Sequence, residues 1–185
     1  MKSESRIFVK TAIALAIGVL ALQAHAATKS WSQAADGYWD VAGNWSPNAP
    51  LTGDTVLITR SGTRTVTYQQ DTLSINSLTL SGGNRLTFTG GALSTGTLTN
   101  SSTIDVNGGV FNVGSGSSGV LNLTAGNLAL TGALTATGAI NLQGGTITGG
   151  TVKQSGANAL TFAGYYYSGN TLDGVTVHGD RKSVV

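Results

Sequence analysis

The chain has 185 residues, ten Lys and Arg against eight Asp and Glu, 27 glycines, two prolines and no cysteine. Without cysteine it holds neither disulfides nor thiolate metal sites. Three of the cations, Lys2, Arg6 and Lys10, fall at the start, and from Ala27 onward seven Lys and Arg balance seven Asp, a neutrality that gives nucleic acid and anionic membrane surfaces no electrostatic support.

The first element is a basic stretch, opposed only by Glu4, that leads into an uncharged and mostly apolar run from Thr11 to Leu22. Ala24-His25-Ala26 then places small residues where a signal peptidase reads. Basic start, short apolar core and A-x-A exit make a secretory signal. A membrane anchor would need about 20 apolar residues, and this run stops before polar Gln23. The expectation is a signal helix over residues 1–26, cut between Ala26 and Ala27. The protein is then exported to the periplasm, the outer surface or the medium, with no membrane contact after the cut.

Residues 27–59 are aromatic and turn-rich, and hold Trp31, Trp39, Trp45 and both prolines, Pro47 and Pro50. Residues 60–179 repeat, and 180–185 form a short tail. In the repeats, apolar and polar residues alternate over short runs. Ser74 to Leu80, Arg85 to Phe88, Thr103 to Val106 and Val110 to Val113 come first, followed by Val120 to Leu123, Asn127 to Leu130, Ala139 to Leu142 and Ala159 to Phe162. Such alternation predicts strands with one face buried and the other solvated. Glycine pairs at 82–83, 90–91, 108–109, 144–145 and 149–150 punctuate them, supplying turns that need positive φ. Gly114 to Gly119 (GSGSSG) is expected to be a flexible corner or inserted loop.

A sandwich, a barrel and a solenoid all fit many short strands, but the segments resemble one another, which favours stacked repeats. Three strands of ~4–5 residues plus corners give roughly twenty residues per turn and on the order of five turns. The predicted class is all-β: a right-handed parallel β-helix, or β-solenoid. Asn76, Asn107, Asn122 and Asn141 are candidates for amide ladders between turns or for turn residues that tolerate left-handed backbone, the turn reading being preferred for Asn107.

Trp31, Gly37, Trp39, Asn44-Trp45-Ser46, Pro50, Gly53-Asp54 and the strand-like Thr55-Val56-Leu57-Ile58 resemble the N-terminal start of bacterial autotransporter passengers with autotransporter-associated β-strand repeats. The resemblance spans nearly the whole region after the signal, and implies a β-helix belonging to a large surface or secreted protein. A membrane barrel, which would need alternating strands of about ten residues, and a sorting signal are not recognisable. The pattern breaks off at Asp173 to Gly179, so the sequence reads as a truncated N-terminal part whose last turn would be an edge prone to self-association.

The tryptophans have two readings. They can plug the open first turn as an N-terminal aromatic cap, which solenoids require, or stack on a sugar ring. Asp54 would hold the turn into the following strand. Tyr165 and Tyr167, which share one strand face, offer a contact for a glycan or a protein partner, or belong to the core and general surface.

Catalysis needs a nucleophile or acid–base pair held in reach. After the signal there is one histidine, His178, and no glutamate. Arg60, Arg64 and Arg85 have no neighbouring carboxylate cluster of the kind a β-helical polysaccharide lyase or hydrolase would use. Asp105-Val106-Asn107-Gly108-Gly109 occurs once and lacks the repeated aspartate of calcium-binding repeats. The expectation is a non-catalytic scaffold or adhesin without metal or cofactor, meeting surface glycans or a host or matrix protein. A carbohydrate-binding module is the alternative.

Overall fold

The computed structural model describes residues 26–155, 160–162 and 169–179. They form an all-β, parallel-stacked solenoid of about 5 turns, the architecture expected from the repeats. The chain winds over three faces. The first stacks Thr28–Trp31, Thr55–Ile58, 77–80, 97–100, 115–118, Ala133–Ala136, Thr151–Gln154 and Thr176–His178. The second stacks Gly37–Tyr38, Thr65–Tyr68, Arg85–Phe88, 103–106, 120–123, Ile140–Leu142 and Leu160–Phe162. The third stacks 72–75, 92–95, 110–113, Asn127–Leu130, Thr146–Thr148 and Thr171–Asp173.

The turn length is set by the sequence spacing of inward apolar residues. On the third face Leu73, Leu93, Phe111, Leu128, Ile147 and Leu172 stand in register, separated by 20, 18, 17, 19 and 25 residues. Alternation does the rest: in Thr55–Ile58, Val56 and Ile58 are buried while Thr55 and Leu57 are half-buried. Stacking repeats this outline, so Leu78, Leu98 and Leu134 form one dry interior row. Burying each such side chain is worth about 1.5–3 kcal/mol. With no disulfide available, the buried apolar rows of all three faces and the backbone ladders carry the stability.

Two strands are longer than alternation predicts. Ala92–Val106 and Val110–Leu123 each run through corners and contribute to all three faces. The second overturns the expectation of a flexible inserted loop over Gly114 to Gly119: Gly114 and Gly119 fall at corners, but 115–118 is a strand of the first face. Gly116 lies in register with Leu98 and Leu134, inside the interior row of the first face. It adopts φ +138, and a Cβ there would collide with the Leu98 carbonyl oxygen. The glycine- and serine-rich composition reflects close approach between turns, not a flexible connection.

Candidate functional surface

At the N-terminal end the three tryptophans come together. Trp45 packs edge-on against Trp31 at 5.1 Å between ring centroids and against Trp39 at 4.9 Å. Trp39 meets Tyr68 at 5.4 Å, Tyr68 meets Phe88 at 5.3 Å and Phe88 meets Phe111 at 4.9 Å. The spacings suit edge-to-face and tilted pairs, and the column runs from the first turn into the solenoid. Trp31, Trp39 and Trp45 are 3, 0 and 4% exposed, so no indole face is open for a sugar ring. The Trp45 indole N–H donates to the Trp39 carbonyl at 2.6 Å, whereas those of Trp31 and Trp39 meet no partner among the described residues.

Beside this column Lys29 occupies an inward position, in register with Val56, and is buried. Its ammonium donates to Asn48 Oδ1 and lies 3.8 Å from Asp54 Oδ2. Asp54 Oδ2 accepts the Leu51 N–H at 2.8 Å, the turn-holding role expected for it. A charge removed from water must be paired, and here both members of the pair are buried together. Nothing in the local sequence announced Lys29 as the partner.

The outward row of the second face is Thr67, Thr87, Asp105, Asn122, Asn141 and Thr161. Asn122 donates to Asp105 Oδ1 at 2.7 Å, Asn141 to Asn122 Oδ1 at 2.7 Å and Thr161 to Asn141 Oδ1 at 2.6 Å. Arg85 pairs with Asp105 Oδ2. The amide ladder expected of Asn122 and Asn141 is present, on the outside of the sheet. Asn107 lies at a bend without the left-handed backbone expected of it, and its Oδ1 accepts from the Thr124 hydroxyl one turn on at 2.9 Å. Asn76 is an exposed corner residue whose backbone N–H donates to the Asp54 carbonyl. Arg85 and Asp105 looked unrelated in the sequence because they lie one whole turn apart, on directly paired strands. Reading the sequence at the turn length, 87 to 105 to 122 to 141, is the signal that would have found the row.

A second polar contact went unforeseen. Asn100 and Ser118 are buried in the interior of the first face, joined by a 3.0 Å hydrogen bond. Asn100 Oδ1 also accepts the Ser102 N–H at 2.8 Å, fixing the corner where the register shifts between Asn100 and Thr103. A buried amide satisfied on both sides is structural in character.

The C-terminal end differs from the rest. Phe162, Leu172 and Val177 stand in register with fully buried Leu142, Ile147 and Val152, yet all three are exposed. A shallow depression beside them is lined by Thr151, Lys153, Gln154 and His178, with His178 on an exposed strand. Among the described residues no three His, Cys, Asp or Glu side chains gather as metal ligands, and no helix is long and apolar enough to cross a membrane. Tyr165 and Tyr167 lie outside the described residues. Ala26 is exposed and Ala27 half-buried. In comparison with known proteins, the chain matches no family model, no curated protein and no solved structure.

Proposed function

We propose that the chain is exported by its first 26 residues and acts outside the cytoplasm as a non-catalytic, passenger-like β-solenoid scaffold with an adhesive outer surface. The observation that carries this reading is the Thr87–Asp105–Asn122–Asn141–Thr161 row. It is a flat strip of small polar side chains, each held by its neighbours, whose one carboxylate is paired with Arg85. Weak contacts repeated along such a strip add up through avidity. The buried tryptophans support a cap at the N-terminal end, because an aromatic plug keeps water from the first interior row. The exposed Phe162, Leu172 and Val177 favour self-association through the other end.

The test is fractionation of a bacterium expressing the whole chain, followed by binding of the purified protein to arrays of glycans and matrix proteins. Processed protein outside the inner membrane, with binding lost in Asn122→Asp plus Asn141→Asp, supports the reading. Retention in the cytoplasm, or turnover of a polysaccharide, overturns it. The alternative carbohydrate module rests on Tyr165 and Tyr167, and predicts glycan binding that disappears in Tyr165→Ala or Tyr167→Ala.

A further inference from the structure

We infer that the cut between Ala26 and Ala27 also builds part of the fold: it creates an α-ammonium that Asp54 is placed to hold, so that processing completes the N-terminal end of the solenoid. The inference rests on the export reading above. The Ala27 nitrogen lies 2.8 Å from Asp54 Oδ1. The Ala27 carbonyl accepts the Thr55 N–H, also at 2.8 Å. One residue is therefore gripped at both ends by two consecutive residues of the next turn. The cut predicted from sequence falls at the peptide bond whose nitrogen faces Asp54 Oδ1.

Cleavage changes what Asp54 meets. Water adds across the Ala26–Ala27 amide as the C–N bond breaks, its hydroxyl going to the Ala26 carbonyl carbon and a proton to the Ala27 nitrogen. At neutral pH the new carboxyl releases a proton and the new amine takes one up. A neutral amide donor thus becomes a cation within hydrogen-bond distance of a buried carboxylate. Charge-assisted bonds of this kind are roughly twice as strong as neutral ones.

The surroundings leave room for this pair. Lys29 Nζ and the Leu51 N–H both approach Oδ2, and Lys29 also donates to Asn48, while Oδ1 takes the Ala27 nitrogen. The two cations therefore use different oxygens of one carboxylate. A cut one residue earlier would carry the ammonium about 3.3–3.6 Å along the chain, beyond direct contact, so the pairing is specific to this bond.

An α-amine ordinarily titrates at about 7.7–8.0, and a carboxylate at this distance favours its charged form. The folded value is then the higher one, with Asp54, Lys29 and Asn48 as the charged and polar groups facing it. Its contribution to stability is fully present below about pH 7.7 and is lost as pH rises through the folded value.

The experiment begins with the full chain, exported and processed by a bacterial host, with its N-terminus identified by mass spectrometry. Expected are an N-terminal Ala27 and an α-amine that binds its proton about tenfold more tightly than an ordinary one, one pKa unit by NMR titration. Acetylating that amine on the same protein is expected to lower the denaturation midpoint, and Asp54→Asn to return the amine to its ordinary value. The acetylation arm needs no substitution, so it stands even where Asp54→Asn fails to fold. An uncut chain, or a different first residue, overturns the cleavage position and the inference together. An Ala27 terminus with an ordinary amine, or an acetylated protein of equal stability, overturns the inference alone.

Discussion

Phe162 stands in parallel register with Leu142, yet Phe162 is 59% exposed and Leu142 is fully buried. The same inward position thus has a lid of further chain in one turn and meets solvent in the next. Leu172 and Val177 share the situation on the other two faces. Phe162→Asp is expected to weaken self-association roughly tenfold or more, since burying a large apolar side chain is worth about 1.5–3 kcal/mol. Sedimentation velocity over a concentration series measures this, and a wild-type protein that stays monomeric throughout rules out the contact.

Gly109 sits at a corner with φ +70, where a Cβ would collide with the carbonyl oxygen of Gly91 in the previous turn. Gly109→Ala is expected to cost about 1–3 kcal/mol through backbone strain alone, with the collision adding to it. Gly90→Ala, with open space around the added methyl, should stay within about 0.5 kcal/mol of wild type. Urea denaturation of both variants separates corner geometry from composition, and equal losses would contradict it.

Removing Asn122 breaks the outer row in the middle. Asn122→Ala leaves Asp105 Oδ1 and the Asn141 amide without the partners they have now, at an expected cost of about 1–3 kcal/mol. Because the row is coupled, Asn122→Ala and Asn141→Ala should combine less than additively in a double-mutant cycle. Strict additivity would show the contacts to be independent.

Tyr68 is buried and donates to the Ala92 carbonyl at 2.9 Å. Burial, with the Asp71 carboxylate adding to it, pushes its phenol up to about 12. The unfolded phenol ionises near 10, so the folded value is the higher. Its contribution to stability is fully present below about pH 10 and is lost as pH climbs towards 12. Denaturation midpoints over this range should fall more steeply for wild type than for Tyr68→Phe. Parallel slopes would assign the alkaline loss to other groups.

Trp39 bridges Trp45 and Tyr68 in the aromatic column. Trp39→Ala is expected to cost about 3–5 kcal/mol, as large aromatic truncations in cores do. Calorimetry reads the loss directly. A variant that keeps wild-type stability but loses glycan binding would restore the sugar-site reading.

The fold was legible because its rule is local. Alternation in runs such as Val110 to Val113 places one residue in and one out whatever lies beyond, and glycine pairs mark the corners. What was hidden depends on contacts one turn away. Gly116 read as a loop residue because nothing beside it in sequence reveals that Leu98 and Leu134 flank it. Lys29 drew no notice in the sequence, although Asp54 and Asn48 hold it inside. Asn100 takes the inward position that alternation from Leu98 assigns it, and its polar side chain is satisfied there by Ser118, one turn away. Sequence distance misleads most where the turn is the unit of contact.

The row from Thr161 to Asp105 has one further property. At every step the donor belongs to the later turn and the acceptor to the earlier one, and Arg85 closes the series from behind the carboxylate. Head-to-tail donors and acceptors polarise one another, so a surface without net charge still carries a direction along the axis. A molecule laid on it one way meets this order of groups, and laid the other way meets its reverse. Attachment to this strip is therefore an oriented event, and the solenoid presents a front and a back to whatever it holds.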